Sequence, residues 1–173
     1  GEDFVAWCLK ANGGTTSSNT DGTITSTVQV NEDAAFSIVS YSGTGSAGNV
    51  GHSLGVKPDL IICKNRNSNG VPRWVVYDSV NTAANKMYLD DTSASSSTGN
   101  WGNTEPTSSV FSIGTSTGTN ASGGNYITYC FASVEGFSKF GSYTGNGSTS
   151  NIIETGFEPA FLMTKRTDTA GYN

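Results

Sequence analysis

The sequence has a single histidine, few charges, four prolines and no long apolar run, and each shortage removes a class of function. With His52 alone there is no histidine pair for a transition metal, and no Cys-x-x-Cys accompanies it. A calcium loop of regularly spaced acids is also missing; Asp90, Asp91 and the Asn-rich loops are the only weak substitute. Charged residues make up 13% of the chain, the nine Lys and Arg are scattered, and the formal net charge is -5. A nucleic-acid surface needs a clustered basic face, so none is expected. No apolar stretch approaches the roughly 20 residues of a membrane helix. No signal-peptide pattern opens the sequence, which fits a cytosolic product, a mature fragment or a virion part released by lysis. Three cysteines, Cys8, Cys63 and Cys130, cannot all pair internally. Each lies in an apolar run, so reduced core cysteines are expected.

Ser, Thr, Asn and Gly make up about half of the chain. That composition suits either disorder or a β-protein with polar outer faces and many turns. Aromatics at 10%, grouped in short alternating runs, favour the folded β-protein. No stretch of ten residues has helical spacing, and Val80 to Lys86 is a turn of helix at most.

The main organising feature is a repetition. Phe36 to Arg66 is echoed about a hundred residues later by Phe137 to Arg166. Both run strand, Tyr-x-Gly-x-Gly, loop, Gly-x-x-Pro, apolar strand, Lys. Tyr41, Gly43, Gly45, Gly55, Pro58 and Lys64 correspond to Tyr143, Gly145, Gly147, Gly156, Pro159 and Lys165. Residues 1–11 resemble Gly124 to Ala132 on the pattern aromatic, two residues, aromatic, Cys, apolar. The expected organisation is therefore residues 1–11 as the last strand of a preceding repeat and 12–35 as a polar linker with an edge strand over Thr23–Val30. Residues 36–135 would then form a complete β-sandwich repeat, and 136–173 the start of a following one. A sequence that starts and stops inside a repeat is expected to be a piece of a longer protein; alternatively, strand 1–11 would pair with the incomplete C-terminal copy, in this chain or a neighbour.

Within the complete repeat, strands are expected at Phe36–Tyr41, Leu60–Cys63, Arg73–Tyr77, Lys86–Leu89, Val110–Gly114 and Tyr126–Ala132. Leu60–Cys63, apolar on both faces, belongs in the centre of a sheet. Asn67–Gly70 is a turn. The recurring glycines read as turn positions needing positive φ rather than as a phosphate loop, because no helix and no Lys-Ser/Thr follow. Variable segments such as Ser46–Ser53 and Ser148–Thr155 are the places for displayed contacts.

Candidate functional residues are few. Trp101, flanked by Asn100 and Asn103, is the candidate ligand-binding group. An exposed ring would stack on a sugar while the amides bond its hydroxyls; a buried one would plug the end of a sandwich. Trp7 and Trp74 read as core, and His52 as a surface loop residue. Asp90, Asp91 and Glu105 are the nearest approach to a glycosidase carboxylate pair, but adjacent acids on a strand point to opposite faces. Asn120-Ala121-Ser122 and Asn146-Gly147-Ser148 match the glycosylation sequon. No catalytic, metal-ligating or cofactor-binding residue is predicted.

The runs TDGTITSTVQVNEDAAFSIVSYSGTGSAGNVGHSLGVKPDLIICKNR and VEGFSKFGSYTGNG, with TGFEPAFLMTKR, carry a resemblance. The chain resembles, over essentially all its length, a repeat domain of structural proteins of tailed phages, especially phages of marine bacteria and cyanobacteria. Members often carry several copies, sometimes beside a laminin-G-like jelly roll. The stretch SNIIETGFEP departs from the family, whose members commonly have Asp-Gly-Pro-Phe. The resemblance implies a non-enzymatic virion protein in a tail fibre or surface appendage, located on the virion surface. Its partners would be further copies of itself, as a trimer or filament, other virion proteins, and a host-surface glycan. It brings no binding residues with it. The expected fold is all-β, in antiparallel β-sandwich or jelly-roll-like repeat modules. The expected role is host attachment through displayed loops, with a purely structural shaft, filament or capsid-decorating protein as one alternative and a polysaccharide-degrading tail spike as another.

Overall fold

The structure, a computed structural model, describes residues 2–4, 6, 8–67 and 73–170. Its strands are β1 (Ser17–Asn19), β2 (Ser26–Asn31), β3 (Phe36–Ser42), β4 (Gly48–Gly51), β5 (Leu60–Asn65), β6 (Trp74–Asp78), β7 (Asn85–Tyr88), β8 (Ser96–Ser97), β9 (Val110–Ile113) and β10 (Asn125–Phe131). One helical turn, α1 (Thr117–Asn120), interrupts the 115–124 loop. Eight strands form an antiparallel sheet in the order β1-β2-β3-β10-β5-β6-β7-β8, and β4 pairs with β9 apart from it.

Period-two alternation determines the two faces of the large sheet. Val28, Val39, Tyr41, Ile61, Cys63, Val75, Tyr77, Tyr126 and Cys130 share the inner face. Val50, Phe111 and Ile113 of the β4–β9 pair join this core, together with Leu54 and Trp101. Ile61, Val39 and Val75 have no exposed surface. Fully burying such a side chain stabilises by about 1.5–3 kcal/mol. The outer face carries a second cluster of Ile62, Val76 and Met87, flanked by half-buried Leu60, Trp74, Tyr129 and Phe131. Phe36 stacks on Phe131 with ring centroids 4.7 Å apart. β5 is apolar on both faces because it lies between β10 and β6 with a cluster above and below, which is the central position its composition predicts.

Several expectations are corrected. Residues 12–35 hold more than a linker with one edge strand: the strand expected over Thr23–Val30 is present as β2, but β1 pairs outside it, so β2 is not the edge, and Val28 is 1% exposed. Ser26 and Val28 face inward while Thr25 and Thr27 face out, an alternation muted by the polar residue at Ser26. The described residues of 2–10 form no strand, and Cys8 is exposed, unlike the buried Cys63 and Cys130. Burial raises the Cys63 thiol to about 11, eased by contacts with Thr128 and Tyr41. Trp7 lies outside the described residues, as does most of the Asn67–Gly70 turn. Trp74 is only half-buried, on the outer face. The expected limit on Val80–Lys86 does hold: no helix forms there, and after turns over residues 80–84 the residues Asn85 and Lys86 open β7. Residues 139–170 carry no strand.

Candidate functional site

Trp101 occupies a tight turn in which Gly102 and Asn103 both take positive φ, 60° and 51°. The turn drives the indole inward. It lies edge-on to Tyr77 (6.0 Å) and to Phe111 (6.4 Å) and is 2% exposed. Asn100 is buried beside it: its Nδ2 donates to Ser116 Oγ at 2.9 Å, and its carbonyl accepts from Thr119 Oγ1 and Gly114 N, each at 2.9 Å. Asn103 alone of the three is exposed. Trp101 and Asn100 therefore do not form a stacking platform with Asn103. The inner face between β6 and β9 needs a large apolar cover, and the indole supplies it.

The Tyr-x-Gly-x-Gly stretch holds the same region from the other side. Tyr41 stacks on Tyr126 at 5.2 Å, and its hydroxyl donates to the Thr119 carbonyl at 2.7 Å. Tyr126 Oη donates to the Thr117 carbonyl (2.6 Å) and accepts from Ala121 N (2.7 Å). The two tyrosines thus clamp α1 to β3 and β10. Gly45 has φ 75°, as a turn glycine should. Gly43 does not; a Cβ there would stand 2.4 Å from the Ala121 carbonyl oxygen, so close approach of backbones is what excludes a side chain.

Asn120, fully buried, ties these loops together. Its Nδ2 donates to the carbonyls of Ser46 and Gly114, each at 2.7 Å, and its Oδ1 accepts from Thr44 N at 2.7 Å. In the sequence this residue stands out only as part of a sequon; burial makes it a bracket. Ser46–Ser53 is likewise not a free displayed loop, because Gly48–Gly51 pairs with β9 and Val50 has no exposed surface.

His52 is fully buried rather than on the surface. Its Nδ1 accepts from Leu54 N at 3.2 Å, which makes Nε2 the N–H that donates to the Thr107 carbonyl, also at 3.2 Å. Burial lowers its pKa below 6.5, opposed by the Thr107 carbonyl and the charge of Asp21. The unfolded chain then binds more protons than the folded one below about pH 6.5, so this stability is complete above that pH and is lost as pH falls through the folded-state value. Thermal melts between pH 7 and 5 are expected to show a falling midpoint that flattens in His52→Gln. Equal slopes in the two proteins would remove His52 as the cause.

The acids considered for catalysis are committed elsewhere. Glu105 Oε2 accepts from Tyr77 Oη (2.7 Å) and Lys57 Nζ (2.9 Å), and its Oε1 accepts from Ala83 N (2.6 Å). Partial burial would raise its pKa, but these donors outweigh it and hold the carboxyl below its ordinary value. Asp91 pairs with Arg73 at 2.7 Å and accepts from Ser93, while Asp90 accepts from Trp74 N at 3.1 Å.

Two surface features remain. A shallow groove of about 720 Å³ at one end of the sheet is lined by Thr25, Thr27, Ser40, Ser42, Arg66, Asn67 and Asn125, with Tyr41 and Tyr126 at its floor. A smaller apolar hollow of about 330 Å³ lies on the outer face, among Phe36, Ile38, Ile62, Trp74, Tyr129 and Phe131, with Leu9 and Leu89 at its edge. Among the described residues no group of three or more His, Cys, Asp or Glu is placed to hold a metal ion.

The large antiparallel sheet, its small β4–β9 partner and loops bound by buried amides define a nearly all-β protein built around a glycine-framed loop cluster. The chain belongs to the family of a domain of unknown function, DUF7483, whose model matches residues 1–173. No curated protein and no solved structure matches it.

Proposed function

We propose that the chain is a non-enzymatic structural module of a tailed-phage virion, part of a tail fibre or other surface appendage built from repeats of this unit. The resemblance of its motifs supports the virion setting. The observation that carries the structural role is a reversal of exposure. Trp101 and Asn100, the residues suited to gripping a ligand, are consumed in the frame, while strand-type apolar residues stand in solvent on both terminal segments. Phe4 is 86% exposed, Ile152 79% and Leu162 75%. Exposed apolar surface of this kind marks contact with another protein surface. The engagement of Glu105, Asp90 and Asp91 in structural bonds supports a non-catalytic reading. On the finer fold, the β4–β9 pair laid against the inner core reads as the second layer of a β-sandwich module.

The polar groove favours a second reading, attachment to a host glycan, because its exposed hydroxyls, amides and Arg66 guanidinium suit sugar hydroxyls. Binding to a glycan array that disappears in the Arg66→Ala, Asn125→Ala double variant would support it. The structural reading is tested by immunogold labelling of phage particles that encode the chain. Label on an appendage is expected, and absence of the protein from purified particles would overturn the proposal.

A further inference from the structure

Residues 2–10, 137–143 and 161–166 carry strand sequences, yet their described residues belong to no named strand and pair only in one bridge, Ser138 with Val134; they correspond to three strands that lie side by side within one sheet. Aligned on cysteine, residues 2–10 follow β10, with Phe4 at the place of Tyr126 and Cys8 at that of Cys130. Residues 137–143 follow β3, with Tyr143 at Tyr41, and residues 161–166 follow β5, with Leu162 at Ile61. In the large sheet β10 runs between β3 and β5. Only burial separates the two sets. Tyr126, Tyr41 and Ile61 are 1%, 5% and 0% exposed, whereas Phe4, Tyr143 and Leu162 are 86%, 55% and 75% exposed.

The turns agree as well as the strands. Gly45 and Gly147 have φ of 75° and 69°, and Gly55 and Gly156 have 72° and 86°. The C-terminal segment has the left-handed turns of its counterpart without the ladder those turns serve.

We propose that residues 2–10 of one copy of this chain insert, antiparallel, between residues 137–143 and 161–166 of a second copy, joining copies head to tail. The inference rests on reading the chain as a structural module and names its partner. In the sheet, Cys130 stands opposite Ile61, and Tyr126 opposite both Tyr41 and Asn65. The same register places Cys8 opposite Leu162, and Phe4 between Tyr143 and Arg166. Charge supports the direction. Glu2 and Asp3 arrive at the end carrying Lys165, which also donates to the Asp91 carbonyl, and Arg166, which also pairs with Asp168, and Lys10 arrives at the end carrying Glu158. A parallel insertion would set Lys10 against Lys165 and Arg166. An added strand satisfies backbone groups on both flanks and buries alternate side chains. Because the donor and acceptor surfaces differ, the contact is heterologous and generates a ring or a filament.

The register can be read with one new thiol. Cys63 and Cys130 are buried, so the Leu162→Cys variant presents its introduced thiol alongside Cys8. Mild oxidation is expected to give a ladder of covalent oligomers, with a peptide linking Cys8 to position 162. Met163→Cys, one residue on and facing the other side of the strand, is expected to cross-link several-fold less. Deletion of residues 2–10 is expected to leave a monomer in sedimentation velocity. A bond closed within one chain, or equal cross-linking at 162 and 163, would overturn the proposal. Oligomers that persist without residues 2–10 would overturn strand insertion while leaving the structural module standing, since particle labelling tests that reading separately.

Discussion

Trp101→Ala is expected to lower the unfolding free energy by about 3–5 kcal/mol, the cost of deleting a large aromatic from a packed core. The indole bridges Tyr77 on the large sheet and Phe111 on the small one, and both neighbours lie fully buried. Neither can move in to refill the space without breaking the inner face of β6 or the β4–β9 ladder. The ring's N–H, by contrast, has no hydrogen-bond partner among the described residues. Trp101→Phe therefore gives up packing area but no hydrogen bond, and should cost about 1–2 kcal/mol, within the range of ordinary core substitutions. Urea unfolding followed by circular dichroism separates the two. A loss below about 1 kcal/mol for Trp101→Ala would show that the indole is not closing the core. One consequence concerns attachment assays: reduced host adsorption by Trp101→Ala would report damage to the fold, not removal of a sugar contact.

Asn120→Ala is expected to cost about 1–3 kcal/mol, because it strands the buried Gly114 carbonyl and releases two loop groups at the same time. The Ser46 and Gly114 carbonyls lose their donor and the Thr44 N–H loses its acceptor. An unpaired buried polar group costs about 1–3 kcal/mol, whereas the Thr44 N–H and Ser46 carbonyl belong to exposed residues and can turn to water. Asn120→Asp should be no better. It keeps the acceptor for Thr44 but turns a carboxylate oxygen toward two carbonyls. Amide hydrogen exchange at Thr44 and Gly45 should accelerate in both variants, while exchange in β5 follows global stability alone. Wild-type exchange at Thr44 in Asn120→Ala would refute the bracket.

The strands were the most legible part of this chain. Period-two alternation placed Phe36–Tyr41, Leu60–Cys63, Arg73–Tyr77, Val110–Gly114 and Tyr126–Ala132 close to β3, β5, β6, β9 and β10. The doubly apolar Leu60–Cys63 run also predicted a central position, since only a strand covered on both sides can bury both faces. β1 and the inward face of β2 were harder to read because their buried positions include Asn19 and Ser26, satisfied by hydrogen bonds instead of by apolar contact.

The candidate site was misread where a side chain's surroundings come from distant segments. Trp101 sits among polar turn residues, and nothing nearby in sequence announces Tyr77 or Phe111. His52 likewise meets the Thr107 carbonyl, and Asn120 meets Ser46, across long sequence separations. The exposed terminal segments failed in the opposite sense: their apolar alternation predicted strands, and among the described residues no neighbouring strand receives them.

By itself the sequence determined an all-β chain, its strand sites and the turns framed by Tyr41, Gly43 and Gly45. It could do so because pleat period, turn conformation and the absence of helical spacing are local properties of the backbone. Tertiary structure alone decided the order β3-β10-β5, the burial of Trp101, His52 and Asn120, and the exposure of Phe4 and Leu162. Those depend on which segments arrive from elsewhere to cover a face or complete a hydrogen bond, and a local pattern carries no record of its cover.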